Sequence, residues 1–600
     1  MLKRRKYKTF GLIGLAFIVA PGWASVLLIQ QLIGALLPAL TVLATANFID
    51  TAIAIVNSGQ SGSTLYGPMV GLSAIVLYQW VMGDTRKYID SRILIATRIK
   101  YKTAIIRKCA SLDYRYIENQ DTYDLIKRVI EPSESKVIDM YIDTINLAST
   151  IIQVLSVLGI LMVNVWWAAL AILFCSIPIF FVAIKAGQSN YDAGRDVDKI
   201  ERQALYLTEV VTKREYVAER TLFGYAPKII DVFWERFEFA RKYKQRVERK
   251  NFIRMKAGGV LVSLVSAFIM LILLQPVASG AITIGLFMSL INACSNLSVT
   301  LSWGLADQMS KFAKNKEYLK DLSAFCSLEE TKGALEERAL ETPVFKSLEF
   351  KNVSFAYPGT KNQILKHLSF TMNAKKHYAF VGENGAGKTT IIKLLTGQYS
   401  NYEGEILLNG KDIKELTNSE LKSFFGVAYQ DFARYSLTVK ENLLMGDLNC
   451  NELDRMNEVI ADLELTDMIA DFAKGLDTPL GKISEDGVDL SGGQWQRIAL
   501  ARVALNLAPI KVLDEPTAAL DPLSESRLYE QFEKIIQSGM SIFISHRLGS
   551  IKLADEILVL KDGALIEEGK HLELMQQEGY YFEMYKSQLK WYQGSEEQSL

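Results

Sequence analysis

Cysteine and histidine are scarce in this chain, and neither sign of charge is in excess. Its 600 residues include five cysteines and four histidines, and 67 basic residues balance 67 acidic ones. The cysteines are scattered and never form a C-x-x-C pair, so we expect neither a disulfide framework nor a zinc site. The dispersed histidines argue equally against a metal centre built on them. A balanced charge without a basic aromatic patch gives no support for nucleic-acid binding.

Charged residues are also rare in a series of long apolar runs in the first half of the chain, where Lys185, at the end of one run, is the one charged side chain. Each run has the length needed to cross a bilayer. Ionisable residues inside a span usually mark ion or proton pathways, so their scarcity argues against an ion-coupled carrier. The six predicted spans cover residues 24–48, 66–83, 145–164, 166–185, 257–279 and 281–301.

The polar connections between these runs differ in charge. Segments 50–65, 164–167 and 276–281 contain no Lys or Arg, whereas 84–136 and 186–256 are rich in both. The positive-inside rule then places both long segments and both termini in the cytoplasm. The sequence therefore predicts a multi-pass protein of the cytoplasmic membrane.

The N-terminus begins with basic residues followed by an apolar run, "MLKRRKYKTFGLIGLAFIVAPGW". This order resembles a signal peptide. More apolar sequence follows at once, so we expect the segment to be retained as an elbow helix before the first span.

The two long basic segments show helical periodicity, as in "RILIATRIKYKTAIIRKCASL". We therefore expect the spanning helices to continue into the cytoplasm as two helical hairpins, with tips near Asp113–Ile126 and Glu215–Lys228. The alternative is a solvated connector without a partner.

A glycine-rich loop marks the change to alternating strands and helices near residue 345. "HYAFVGENGAGKTTIIKLLTG" reads as a strand, a G-x-x-x-x-G-K-[ST] loop and a helix. The glycines let the backbone wrap phosphates, Lys388 reaches the β/γ oxygens, and the Thr389 hydroxyl binds Mg²⁺. The residues of this loop predicted to bind ATP are Gly382, Glu383, Asn384, Gly385, Ala386, Gly387, Lys388, Thr389 and Thr390.

Two adjacent carboxylates follow a hydrophobic strand in "IKVLDEPTAALD". Asp514 is positioned to hold Mg²⁺, and Glu515 to polarise the attacking water. Lys511 interrupts the apolar run, which we interpret as a residue facing the rim of the sheet.

A second phosphate-seeking helix start occurs about a hundred residues after the first, in "LSGGQWQRIALAR". Ser491 is a good N-cap. Gly492 and Gly493 leave backbone N–H groups bare at the positive end of the helix dipole. One chain thus carries two sites suited to the same phosphates.

These motifs together resemble the nucleotide-binding domain of ATP-binding-cassette transporters, and the six spans ahead of them resemble the exporter branch of that family. The resemblance implies an all-α six-helix transmembrane domain fused to an α/β P-loop NTPase domain. It assigns 1–310 to the transmembrane domain with its two cytoplasmic hairpins, 311–345 to a linker, 346–590 to the nucleotide-binding domain and 591–600 to a tail.

The same resemblance implies roles for further residues. Tyr357 in "FAYPG" corresponds to the aromatic that stacks on adenine. Gln430 in "AYQDF" corresponds to the glutamine that senses the γ-phosphate and the membrane domain, and it joins Thr389 and Asp514 as a predicted metal ligand. His546 in "ISHRL" corresponds to the switch histidine, which with Glu515 and Gln430 completes the predicted catalytic set. Asp521 belongs to the loop after the carboxylates. "LSGGQ", with Ser491, Gly492, Gly493 and Gln494, is the family signature.

The family fold puts the glycine-rich loop and the signature at opposite ends of one domain, so they cannot meet within a chain. Two nucleotide-binding domains packed head to tail would bring the signature of each onto the nucleotide held by the other. ATP binding would then favour the closed dimer, and hydrolysis would release it. Lys388, Glu515, Ser491 and His546 are all present, so we expect a homodimer of half-transporters; a degenerate partner chain is the alternative.

The sequence specifies the transported substrate less closely than it specifies the nucleotide-binding domain. "YQDFARYSLTVKENL" and "LSGGQWQRIALAR" resemble exporters of lantibiotic and related bacterial peptides, which favours peptide export. One alternative is a lipid or hydrophobic-drug exporter. A second is an ATP-gated channel or regulator, but the intact Glu515 argues against it, because a gate that need not hydrolyse ATP could lose this base. The membrane region begins within thirty residues and the first cysteine is Cys109, so we expect no leader peptidase domain in this chain.

Overall fold

The computed structural model describes residues 4, 6–7, 9–58, 61–299, 304–449, 453–515, 539–544, 551 and 554–593. The chain divides into two compact units. The first comprises Met1–Cys109 with Asp121–Leu328, and the second comprises Ala110–Gln120 with Glu329–Leu600. The second unit therefore includes a short segment of the predicted membrane half.

The first unit is helical throughout the part that the structure describes. Its long helices follow the apolar runs and extend beyond them: α8 and α10 continue well past the predicted spans, as expected of helices that form hairpins. The helices, with the few residues of α4–α6 that belong to the second unit, are α1 (Thr9–Val19), α2 (Pro21–Ser58), α3 (Tyr66–Thr97), α4 (Thr103–Ser111), α5 (Tyr114–Glu118), α6 (Gln120–Ile130), α7 (Lys136–Asn164), α8 (Trp166–Thr212), α9 (Val217–Phe223), α10 (Ala226–Ala278), α11 (Ile284–Val299) and α12 (Leu305–Ser327).

Apolar helices of spanning length agree with the first three predicted spans. Among the described residues, Pro21–Asn57, Gly62–Ser111 and Lys136–Asn164 are long and apolar enough to cross a membrane, and Ile284–Ala293 is a shorter apolar stretch. The predicted spans 166–185, 257–279 and 281–301 fall largely in α8, α10 and α11. The side chains at several positions of these helices, and residues 300 and 301 altogether, lie outside what the structure describes, so the number six stays a prediction.

Helix α12 affects the predicted domain boundaries. The segment 311–345 reads as a linker in the sequence, but its first part continues α12 to Ser327. The boundary between the two units falls after Leu328. The α1 helix occupies the position predicted for the elbow helix.

The second unit is an α/β domain with two sheets, which agrees with the predicted class. A four-stranded antiparallel sheet has the order β2-β1-β4-β5, and a six-stranded sheet has the order β10-β9-β3-β8-β7-β6. The strands are β1 (Ser347–Ala356), β2 (Gln363–Asn373), β3 (His377–Gly382), β4 (Glu403–Leu408), β5 (Lys411–Asp412), β6 (Phe425–Ala428), β7 (Ile510–Asp514), β8 (Met540–Ile544), β9 (Glu556–Lys561) and β10 (Ala564–Gly569).

Helices alternate with the strands of this unit along the chain. They are α13 (Lys388–Leu395), α14 (Asn418–Phe424), α15 (Val439–Leu444), α16 (Leu453–Asp462), α17 (Thr466–Ala470), α18 (Gly492–Leu505), α19 (His571–Gln576) and α20 (Tyr580–Gln593).

Buried parallel strands position the site. β7 and β8 are buried at every residue, as expected of central strands covered on both faces. β3 and β7 both pair in parallel with β8, and Phe380 and Asp514 lie opposite the same residue, Ile544. The segments that follow β3 and β7 therefore leave the sheet at the same edge, where ligands bind in open α/β sheets.

Candidate nucleotide site

The glycine-rich loop joins β3 directly to α13, which confirms the predicted strand–loop–helix arrangement. Gly385 and Gly387 adopt φ angles of 86° and 100°, a region that favours glycine. A Cβ on Gly382 would lie 2.2 Å from the carbonyl oxygen of Leu560, and one on Gly387 would lie 2.5 Å from Leu365 Cδ2. Two of the glycines are thus required by close packing beneath the loop as well as by its curvature.

Lys388, the first residue of α13, points back into this loop. Its Nζ donates hydrogen bonds to the carbonyl oxygens of Gly382 (2.7 Å) and Glu383 (3.1 Å), and the residue is buried. Burial lowers the pKa of Lys388, while the nearby charges of Glu515 and Asp514 act in the opposite direction. The ammonium group is held where it can exchange carbonyl oxygens for phosphate oxygens.

Asp514 ends β7 beside the loop. Its Oδ1 accepts a hydrogen bond from Thr389 Oγ1 at 3.5 Å, and burial raises the pKa of Asp514 to about 6. Its Oδ2 is buried and accepts no hydrogen bond from the described residues. A hydroxyl and a carboxylate with a buried, unsatisfied oxygen are the donors that Mg²⁺ prefers, so these residues fit the predicted metal.

Glu515 and Gln430 meet across the site. Gln430 Nε2 donates to Glu515 Oε2 at 3.0 Å. Glu515 has a φ of 48°, which is uncommon for a residue with a side chain, and its N–H donates to the carbonyl oxygen of Ile544. β7 ends at Asp514, immediately before this residue.

All but one of the residues that line a cavity of about 510 Å³ are predicted site residues. Ile364, at the start of β2, also lines it; no motif singled this residue out, although it follows the "FAYPG" loop. The lining residues are Tyr357, Ile364, Asn384, Gly385, Gly387, Lys388, Thr389, Thr390, Gln430 and Glu515.

Tyr357 packs its ring against other aromatics near the loop. The ring centroids of Phe355 and Tyr399 lie 5.1 and 5.5 Å from that of Tyr357, both in edge-on geometry. Its hydroxyl lies 3.0 Å from Thr390 Oγ1. The side chain is half-buried and so keeps an accessible surface beside the phosphate loop.

The signature opens α18 as predicted. Ser491 is the N-cap: its Oγ accepts a hydrogen bond from the N–H of Gln494 at 3.3 Å, and Gln494 Oε1 accepts one from the N–H of Ser491 at 2.8 Å. Ser491 and Gly492 are exposed. No signature residue is among those that line the described cavity, so the structure does not bring the two phosphate-seeking helix starts together within the chain.

The loop residue Ala386 does not line this cavity. Ala386 is buried beneath the loop and donates its N–H to the Glu383 carbonyl oxygen. Asp521 and His546 lie outside the described residues, so their roles stay predictions.

The segment Ala110–Gln120 is attached to the far end of α13, which no motif predicted. Lys393 Nζ and Glu118 Oε1 form an ion pair of 2.8 Å, and Tyr399 donates its hydroxyl hydrogen to the same carboxylate. The Lys393 ammonium also lies 5.6 Å from the ring centroid of Tyr114 and 5.3 Å from that of Tyr357. One lysine therefore contacts both α5 and the aromatic of the nucleotide site.

Comparisons with known proteins cover both halves of the chain. Residues 26–299 match the family model of the ABC transporter transmembrane region, and residues 365–518 match that of the ABC transporter. Among solved structures, the chain is similar to a bacterial Atm1-family ABC exporter with ATP bound. The TM-score is 0.77 at 24% identity, over 94% of this chain and 98% of the other, which supports the fold.

Curated relatives extend along nearly the whole chain. The subtilin transport ATP-binding protein of Bacillus subtilis is 29% identical over 93% of this chain and 90% of its own length. The nisin transport ATP-binding protein of Lactococcus lactis subsp. lactis is 26% identical, over 96% and 95%. The ATP-dependent lipid A-core flippase of Escherichia coli (strain K12) is 28% identical, over 88% and 90%.

Proposed function

This chain belongs to the ABC transporters, as an exporter-type membrane domain fused to an ATP-hydrolysing domain, and on that premise we propose that it exports a peptide across the cytoplasmic membrane as a homodimer. The observation that carries the ATPase assignment is the convergence of Lys388, Thr389, Gln430 and Glu515 on one cavity. Asp514 adjoins it through Thr389.

Each group of the cavity has a separate task in hydrolysis. Lys388 and the loop N–H groups bind the β- and γ-phosphates. Thr389 and Asp514 would hold Mg²⁺, which when bound neutralises phosphate charge. Glu515 accepts a proton from the attacking water, and Gln430, hydrogen-bonded to Glu515, orients that water.

A second copy of the chain would complete the site. Ser491 and Gly492 are exposed at the start of α18 and are absent from the cavity lining. In a head-to-tail dimer the bare N–H groups of this helix would bind the γ-phosphate held by the partner. ATP would then bind the closed pair more tightly than the open one, which is the differential affinity needed to shift the equilibrium.

The segment Ala110–Gln120 would carry the closure toward the membrane helices. It belongs to the compact unit that holds the nucleotide cavity, and its Glu118 pairs with Lys393 on α13. With both termini and the ATPase domain in the cytoplasm, as the basic connections predict, movement of this segment would alternate access of the cargo between the two faces of the membrane.

A cavity in the helical unit, whose lining combines apolar surface with many charged and amide side chains, supports a peptide as the cargo. It measures about 830 Å³ and is lined by α8, α10 and α12. Charged and amide side chains suit a polar peptide better than an acyl chain, because leaving them unpaired against hydrocarbon is costly. These side chains are Arg195, Asp198, Lys244, Glu248, Arg249, Lys256, Asp307 and Lys314, with Asn190, Gln245 and Asn251.

Lipid export is the second candidate, supported by the similarity to the lipid A-core flippase. Peptide export accords with the charged and amide side chains of this cavity and with the relatives named for subtilin and nisin transport.

The test is ATP hydrolysis by the full chain in proteoliposomes, with Glu515→Gln as the variant. We expect the variant to bind ATP with an affinity close to that of the wild type and to lose hydrolysis by at least about a hundredfold, the range of a general base. Normal turnover by the variant would overturn the role of Glu515, and wild-type protein without ATPase activity would overturn the function.

The same proteoliposomes distinguish the cargo. We expect lantibiotic-type precursor peptides to stimulate hydrolysis and to be moved across the bilayer by the wild type but not by Glu515→Gln. Stimulation by a lipid alone would favour the flippase. Permeation driven equally by both proteins would indicate an ATP-gated channel.

A further inference from the structure

The C-terminal helix α20 begins at a tyrosine whose position is fixed from two sides. Glu567 on β10 caps the helix: its Oε1 accepts from the N–H of Tyr580 at 2.5 Å, and its Oε2 accepts from the N–H of Tyr581 at 3.0 Å. A Cβ at Gly579 would lie 2.4 Å from Glu567 Oε1, so the glycine leaves room for this cap. Tyr581 is buried and its hydroxyl lies 2.8 Å from His571 Nδ1. The start of α20 is therefore rigid.

From this fixed position at the start of α20, Tyr580 contacts the phosphate-binding loop. Its hydroxyl donates a hydrogen bond to Glu383 Oε1 at 2.6 Å. The backbone carbonyl oxygen of the same Glu383 accepts from Lys388 Nζ. Lys561 Nζ, at the end of β9, lies 4.4 Å from the centroid of the Tyr580 ring. Both ends of Glu383 are thus restrained, one by the loop lysine and one by α20.

The carboxylate of Glu383 is the unfavourable charge in this loop. It is exposed and adjoins a loop built for phosphates that carry several negative charges. The negative charge of Glu383 and those of the phosphates repel each other even through water. A side chain held outward repels bound phosphates less than one free to rotate over the loop.

The Tyr580 hydroxyl keeps its hydrogen under all ordinary conditions. Partial burial, and then the hydrogen bond to Glu383 and its charge, raise the pKa of Tyr580 to about 12. The restraint on Glu383 therefore does not depend on pH in the physiological range.

We propose that Tyr580 is a positioning residue of the nucleotide site, which holds the Glu383 carboxylate away from the phosphates of ATP and thereby raises the affinity for nucleotide. The inference rests on the proposed ATPase function. It couples the C-terminal helix to nucleotide binding through a single side chain outside the motifs of the sequence.

The test compares Tyr580→Phe with the wild type as full-length protein in proteoliposomes. Phenylalanine keeps the ring against Lys561 and removes only the donor. We expect KM for ATP to rise by about threefold to tenfold with little change in kcat, because binding is weakened and the reacting groups are untouched. The rise should shrink at high ionic strength, since it arises from charge.

The Glu383→Gln variant tests whether the charge of Glu383 causes the expected rise in KM. In that background the carboxylate charge is gone, so we expect Tyr580→Phe to leave KM nearly unchanged. Tyr585→Phe is the matched control: Tyr585 lies on the same helix and packs on His571, and this change should leave KM at the wild-type value.

The outcomes separate this inference from the function beneath it. A wild-type protein that hydrolyses ATP, with Tyr580→Phe identical to it, would refute the positioning role alone. The positioning role would also be refuted if Tyr580→Phe raised KM equally in the wild-type and Glu383→Gln backgrounds. It would likewise be refuted if Tyr585→Phe raised KM as much as Tyr580→Phe does. Either result would assign the effect to the packing of the C-terminal helix. A wild type that neither binds nor hydrolyses ATP would remove the premise.

Discussion

At the scale of the residue, Lys511 differs most from what its sequence context suggested. A lysine within an apolar strand reads as a residue facing a rim, but Lys511 is buried in β7. Its Nζ donates hydrogen bonds to the carbonyl oxygens of Val503 (2.9 Å) and Asn506. Burial, and then the charges of Arg455 and Arg338, lower the pKa of Lys511 to about 7, while Asp447 acts in the opposite direction. The lysine joins α18 to the strand that carries the two carboxylates.

The lowered pKa predicts how stability depends on pH. Above pH 7 the folded chain loses the Lys511 proton, whereas the unfolded chain retains it up to the ordinary value of 10.5. The unfolded state therefore binds more protons between these values, and stability rises with pH by up to about 1.4 kcal/mol per pH unit from this group.

Lys511→Met should remove this contribution. We expect the midpoint of thermal unfolding of the wild type to rise relative to that of the variant between pH 7 and pH 9. Lys361→Met, at an exposed position, serves as the control and should show no such divergence. A wild-type advantage that is constant across this range would contradict a deprotonated Lys511.

At the scale of the element, the N-termini of α15 and α18 share the same capping motif, but only that of α18 belongs to the predicted nucleotide site. The N-terminus of α15 is capped by Thr438 and Glu441 in the same reciprocal way as that of α18 by Ser491 and Gln494. Local sequence makes both caps, and neither needs tertiary contacts to form. Only the second is followed by two glycines, which leave the first two positions of its helix without side chains.

The two caps make a matched pair for experiment. Ser491→Ala and Thr438→Ala should each lower stability by about 1 kcal/mol, the usual cost of losing an N-cap. Only Ser491→Ala is expected to reduce ATP hydrolysis by tenfold or more, because Ser491 faces the nucleotide of the partner in the proposed dimer. Equal activity of the two variants in proteoliposomes would reduce the signature serine to a structural cap.

At the scale of the whole molecule, the glycine-rich loop and the signature helix are separate within the described part of one chain, and the proposed dimer would bring them together. The glycine-rich loop lines the cavity together with Glu515, and the signature residues do not. A homodimer in which each copy lends its signature to the other has two-fold symmetry and therefore two equivalent sites.

Two defective variants should restore each other in such a dimer. Lys388→Ala removes the lysine that we propose binds the phosphates of ATP. Gly492→Asp sets a carboxylate against the γ-phosphate and is compatible with the first turn of a helix. Each variant alone should lack ATPase activity. Pairs that contain one copy of each, purified through two different tags, have one intact site and should recover up to about half of the wild-type rate. Inactive mixed pairs would argue that loop and signature act within one chain.

The sequence by itself determined the features that depend on local chemistry. The apolar runs, the strand–loop–helix at Gly382, the strand ending at Asp514 and the cap at Ser491 all follow from residue type and spacing, and the family assignment that they indicated is confirmed. Tertiary structure alone decided which distant segments meet. The hairpin tips read alike in the sequence, yet Ala110–Gln120 belongs to the α/β unit and 215–228 to the helical one. The burial of Lys511 and the contact between Tyr580 and Glu383 likewise depend on strand order, because strand order brings together residues that are far apart in the chain. Neither segment shows a periodicity or composition from which these contacts could be predicted.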